Sequence, residues 1–432
     1  MGGRQFTRIG VVLLTVGMLA ACGNSGGGGG GGSKSSSDAF TGRGPITLAT
    51  GKDTSGNLQN QVNAWNKAHP SEKARIIELP EDADSQRQQM VQNAQTKSDA
   101  YTVLNLDVIN TAEFAGNQWV LPIPKGKIDT SGFLPPALAT ATYFGKEYAV
   151  PWKTDGALLY YRSDLLKKAG ISSPPKTWSE MQSDCTKVLK QPGTKGMSCY
   201  AGQFDKYEGL TCNFSEAVNS AGGEVINAQG KPDVDTPAAK KGLDFLVNGF
   251  KSGSIPKAAI TYQEEPSRRA FQTNKLVFMR NWPYADALMK KEAASKVKGK
   301  FDVAPIPGLD GPGVSTLGGH NLAISAFAKN KASALDFVKY LTTQDAERKN
   351  LLATSEAPTI ASLYDDQALV KKFPYLPILK QSVTKAKPRP QAVQYGDVTA
   401  AIEENAYDAL QGKKTSDQAL KDLQAKLQTL IK

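Results

Sequence analysis

Along most of the chain, short apolar runs alternate with polar turns and with segments whose apolar residues recur every three or four positions, the rhythm of alternating strands and helices. Pro45 to Ala49 is β-prone, and after the polar turn Thr50–Gly56 the residues Leu58, Val62 and Trp65 fall at helical spacing. His69-Pro70 stops that helix, because proline cannot continue it. Arg75–Leu79 reads as a second strand, Ser85–Lys97 as a polar helix and Tyr101–Leu106 as a third strand that ends at Asp107. The most informative stretch is Tyr148–Leu166, YAVPWKTDGALLYYRSDLL. Ala149-Val150-Pro151 end one apolar run, Ala157–Tyr161 make another, and the polar residues Lys153–Gly156 lie between them. A chain crossing between two lobes has this pattern.

Beyond the crossing, Thr177 stands where it caps a helix from Trp178, with Glu180 at the capping-box position. Met197–Gln203 reads as a strand, and Phe204–Gly209 opens a helix running to Ala221. Tyr207 and Glu208 sit at its start, either facing a cleft or, for Glu208 the favoured reading, forming a solvated first turn where an acidic residue stabilises the helix end. Leu276–Met279 is a strand that delivers Asn281-Trp282-Pro283. The Gly/Pro-rich stretch 308–319 reads as a second crossover, and His320-Asn321 opens a strand returning to the first lobe.

The N-terminus follows a different rule. Arg4 and Arg8 precede an apolar run, Ile9–Ala21, too short to span a bilayer but fitting an export signal. It ends in Leu19-Ala20-Ala21-Cys22, which resembles a lipobox with Cys22 as the acylated residue. The Gly/Ser run that follows cannot bury apolar area and reads as a tether. The expectation is a protein lipid-anchored to the outer face of the cell membrane of a Gram-positive source.

Composition narrows the function. With 432 residues, 40% of them apolar, the chain is long enough for two lobes. The formal charge of +11 is spread over scattered Lys and Arg without interleaved aromatics, which argues against nucleic acid. Cys185, Cys199 and Cys212 allow one disulfide, with the pair left open. Their wide spacing, far from His69 and His320, argues against a metal site, and no cofactor motif is present. The chain has no G-x-S-x-G elbow and no H-E-x-x-H. Adjacent Glu264 and Glu265 are poorly placed to act as a glycosidase pair, so no enzyme is expected.

Several residues stand where a ligand would meet them. Asp53 lies in a strand-to-helix loop, and Asp107 ends a strand, where it either accepts ligand hydroxyls or caps the next helix. Trp282 at a strand end can cover the apolar face of a pyranose while polar side chains serve its rim. Asn321 offers both donor and acceptor, and His320 reads as structural. Arg389, pinned between Pro388 and Pro390, reads equally as a sugar-binding fork or a surface turn.

The ordered set WNKAHP (65–70), DVINTAEFAGNQWVLPI (107–123), LLYYRSDLLKKAGI with PPKTWSEM, RRAFQTNKLVFMRNWPYADALM (268–289), LGGHNLAIS and ALDFVKYL resembles the extracellular solute-binding proteins of ABC importers, the family that includes the maltose-binding proteins. TAEFA, LLYYR, YEGL, NWP, GGHN and KPRP resemble its mycobacterial trehalose-binding lipoproteins. The resemblance implies an α/β, two-lobe periplasmic-binding-protein-like fold of type II, with crossover hinges. Its parts would be a signal peptide (1–21), a tether (22–40), lobe 1 (41–151 plus 318–372) and lobe 2 (152–317 plus 373–432). It implies a monomer that captures a small-molecule sugar, an α-linked disaccharide, and passes it to membrane permease subunits. By the resemblance Asp107, Asp155, Glu264 or Glu265, Trp282, Asn321 and Arg389 would line the cleft, and position adds Asp53 and Glu208 as ligand-binding candidates. Asp155 stands where the trehalose-binding proteins carry an amide. A polyamine ligand and an exported glycoside hydrolase are the competing readings.

Overall fold

The computed structural model describes residues 39–431. The export signal, Cys22 and nearly all of the tether lie outside the described residues. Eleven strands form two main sheets and one small ribbon. The first sheet has the order β2-β1-β3-β11-β6: β1 (Ile46–Thr50) lies parallel to β2 (Ala74–Glu78) and β3 (Val103–Asp107), and β11 (Leu317–Ile324) runs antiparallel between β3 and β6 (Ala149–Gly156). The ribbon pairs β4 (Thr142–Tyr143) with β5 (Lys146–Glu147). The second sheet has the order β10-β7-β9-β8, built from β7 (Leu158–Tyr161), β8 (Ser198–Ala201), β9 (Leu276–Asn281) and β10 (Asp302–Pro305). Its strands are buried on both faces, as the continuous apolar runs LLYY and LVFM require.

The chain passes between the sheets at two β crossovers. The polar residues Lys153–Gly156 do not interrupt a strand as their composition suggests. They complete β6 and pair with Leu317–His320, so the first crossing falls at Gly156-Ala157, five residues beyond 151/152. The second runs from β10 to β11. Helix Leu376–Lys385 packs over both: a Cβ on Gly156 would lie 2.5 Å from Ser382 Oγ, so only glycine lets the helix approach. The Ala157 amide donates to Ser315 Oγ (2.7 Å), and Ser382 Oγ donates to the Ala157 carbonyl (2.9 Å), which knits three segments together at the hinge.

Helix Trp178–Leu189 begins with the expected capping box, Thr177 with Glu180. A disulfide ties Cys185 on that helix to Cys199 on β8, leaving Cys212 as a buried thiol. The helices Glu208–Ser220, Tyr395–Leu410 and Ser416–Leu430 pack together against the second sheet's side of the molecule. Among the described residues no helix is long and apolar enough to cross a membrane.

Candidate ligand-binding cleft

A cavity of about 440 Å³ lies between the two sheets, within the range of small-ligand sites. One wall comes from the carboxyl ends of the parallel strands β1 and β3, where open α/β sheets place ligands, together with β6 and β11. The other comes from the starts of helices Glu208–Ser220 and Glu264–Gln272 and from the residues after β9. The rims touch on both sides. The Glu208 amide donates to Asp84 Oδ2 (3.1 Å), and Lys291 Nζ donates to the Ala353 carbonyl, so the cleft is closed.

The residues singled out from sequence divide by what they touch. Trp282 follows β9, half-buried. The Arg280 guanidinium lies 3.7 Å from its ring centre, and the rest of the indole borders the cavity. Arg280 is held in turn by buried Glu216. Asp155 projects from β6 into the cavity and receives no hydrogen bond among the described residues. Burial and the negative charge of Glu356 push its carboxyl up to about 7, against the pull of Lys153.

Other cavity carboxylates are occupied by the protein. Asp53 accepts from the Ser55 hydroxyl (2.5 Å) and amide (2.8 Å) and from the Leu58 amide (2.9 Å), holding its loop on the next helix. Asp107 does not cap helix Thr111–Gly116. It accepts from the Ile109 amide and pairs with Arg389 Nη2 at 2.8 Å. Glu208 is buried, not the solvated first turn that its position suggests: Arg389, Tyr395 (2.6 Å) and Thr399 (2.6 Å) all donate to it. Glu264 accepts from the Tyr207 hydroxyl (2.7 Å). Glu265 takes a forked pair from Arg268 (2.8 and 2.7 Å) and a bond from Tyr284 (2.9 Å). Arg389 is buried rather than a surface turn, and stays a cation between Asp107 and Glu208.

Asn321 does not line the cavity. Its amide donates to Thr111 (3.1 Å) and Thr140 (3.0 Å) inside the first lobe, because β11 carries a register shift between His320 and Asn321 and neighbouring side chains leave a strand on opposite faces. His320 faces the cavity in its place, held neutral by burial. Sequence reasoning also passed over Asn105 within β3. An amide in the run VLNLD looks like core, and the alternation that turns it toward the strand end was the available signal.

Four buried polar atoms on the wall lack a protein partner: Asn105 Oδ1, Asn110 Oδ1, His320 Nδ1 and Arg389 Nε. The Asp155 carboxylate, which reaches the cavity without a protein donor among the described residues, offers hydrogen bonds to a molecule rich in hydroxyls. Asp84, Glu208 and Glu403 are the one carboxylate trio close enough to share an ion among the described residues, but Glu208 is already saturated by its donors.

The profile of the bacterial extracellular solute-binding proteins matches residues 50–348, and the chain belongs to that family. It is 34% identical over 373 residues to a probable ABC transporter-binding protein of Deinococcus radiodurans, covering 85% of this chain and 88% of the relative. Among solved structures, the maltose-bound MalE3 of T. maritima aligns with a TM-score of 0.85 at 33% identity, over 89% of this chain and 99% of that one. The GacH receptor of Streptomyces glaucescens, solved unliganded and with acarbose, aligns with a TM-score of 0.80 at 25% identity, over 90% and 98%. The fold is the two-lobe α/β type II architecture, and the chain is a binding protein, not an enzyme.

Proposed function

We propose that this protein is the substrate-binding lipoprotein of an ABC importer and that its ligand is a carbohydrate, an α-linked disaccharide such as trehalose or maltose. The observation that carries this reading is one cavity lined both by the Trp282 ring and by polar side chains, among them Asp155, which receives no hydrogen bond among the described residues. A pyranose has an apolar face of C–H groups and a rim of hydroxyls, and this lining supplies one surface for each. The maltose and acarbose complexes of similar structures support it.

Capture works by closure. The lobes rotate about Gly156-Ala157, the β10–β11 connection and helix Leu376–Lys385, and a ligand touching both walls favours the closed form. The closed monomer is the form a membrane permease recognises, and a lipid on Cys22 keeps it near that partner. A polyamine fits less well: it needs several free carboxylates, and all but one of the acidic side chains discussed above are held by protein donors.

Calorimetric titration with trehalose, maltose, sucrose, cellobiose and spermidine tests the reading, alongside Trp282→Ala. Tight binding of one α-linked disaccharide, lost in the variant, is the expected result. Heat from spermidine alone would refute the sugar assignment.

A further inference from the structure

The cavity wall beside Trp282 carries more negative charge than the protein neutralises. Asp107, Asp155, Glu208 and Glu356 all line the cavity, and Arg389 and Lys153 are the cations bonded to them. Arg389 is shared by Asp107 and Glu208, while Lys153, two residues before Asp155 on the same strand face, is committed to Glu356 at 2.6 Å. Asp155 is left with no bonded cation and no donor among the described residues, and feels Lys153 and Arg280 only at a distance. It also stands next to the platform: a Cβ added at Gly318 would lie 3.1 Å from the Trp282 ring and 3.2 Å from Asp155 Cβ, so the ring and the Asp155 side chain flank one glycine. A sugar covering Trp282 therefore presents its rim to this carboxylate.

Building on the carbohydrate reading, we propose that Asp155 sets the charge preference of the site, favouring a sugar that bears a protonated amine on the ring over Trp282 and rejecting sugars that bear phosphate or carboxylate. An ammonium group would supply the missing partner and turn an ordinary hydrogen bond into a charge-assisted one. A second anion would face a like charge that no protein donor holds. The upward push on the Asp155 carboxyl by burial and Glu356 is what an uncompensated acid there should show.

The test is calorimetric titration of the protein at pH 7 with trehalose and maltose, with their singly aminated derivatives carrying the amine at C2, C3, C4 or C6 of the non-reducing ring (either ring of trehalose), and with their 6-phosphates. At least one amine should bind about tenfold more tightly than its parent, the step from a neutral to a charge-assisted hydrogen bond. The phosphates should bind about a hundredfold more weakly than the parents. In Asp155→Asn, and in Asp155→Ser as a second variant, the amine-to-parent ratio should fall to about one. A parent sugar that outbinds every amine overturns the proposal and leaves the carbohydrate reading standing, as does an unchanged ratio in both variants. Silence with every sugar removes the carbohydrate reading and this proposal with it.

Discussion

Two groups of side chains at the cavity lining are built from the same kinds of residue and do different things. In one, Arg389, Asp107, Glu208, Tyr395 and Thr399 bond to each other across the gap between lobes, with only Arg389 Nε left over among the described residues. In the other, Trp282 and Asp155 leave a ring surface and a carboxylate without a protein donor among the described residues facing the space. A charged residue in a cleft is therefore not by itself a ligand contact. Buried polar groups need partners, and a carboxylate that protein donors already hold has less to offer a ligand than one they leave free.

The strongest way to break the contrast is Arg389→Met. Removing a buried cation shared by two carboxylates should lower unfolding stability by about 3 to 5 kcal/mol, read from urea denaturation. A loss under about 1 kcal/mol would mean that the Arg389 group is not a structural tie. Next comes Trp282→Ala, which should cost about 2 kcal/mol of sugar binding, roughly thirtyfold in Kd, with a smaller effect on unfolding because the ring is half-buried. Asn110→Ala sharpens the ligand side: losing one hydrogen bond should weaken sugar binding about fivefold while the urea midpoint holds.

A separate test is pH. Oxygens of Asp84 on one lobe and of Glu208 and Glu403 on the other lie within 4.8 Å of one another. Burial and the nearby Glu208 push Asp84 up to about 7, and burial with Asp84 pushes Glu403 up to about 8. A carboxyl raised above its unfolded value of about 4 binds more protons in the native state, so its contribution declines as pH rises from about 4 toward 8. Tm should be lower at pH 8.5 than at pH 6, and Asp84→Asn should reduce the difference. Glu347, pushed up to about 8 by burial in the first lobe, adds the same sign and should keep the difference from vanishing.

What the sequence made legible is local. The capping box at Thr177, the strand leading to Trp282 and the crossing after Tyr148 all rest on neighbours in the chain. What stayed hidden depends on distant partners. Asp107 and Glu208 meet Arg389 only across 282 and 181 residues, so no local pattern tells a tied carboxylate from a free one. The choice of His320 over Asn321 turns on a single register shift in β11, and one residue of slip reverses which side chain faces the cleft. The disulfide pair likewise needed the helix laid against β8.

A crystal structure of the protein with the disaccharide that binds it most tightly would test the division of the cavity directly. The account predicts a sugar ring over Trp282, with Asp155, Asn105 and His320 within hydrogen-bond distance and the Arg389–Glu208 pair intact. A sugar held by Glu208 and Arg389 with their pair broken, and with Trp282 uncovered, would contradict it.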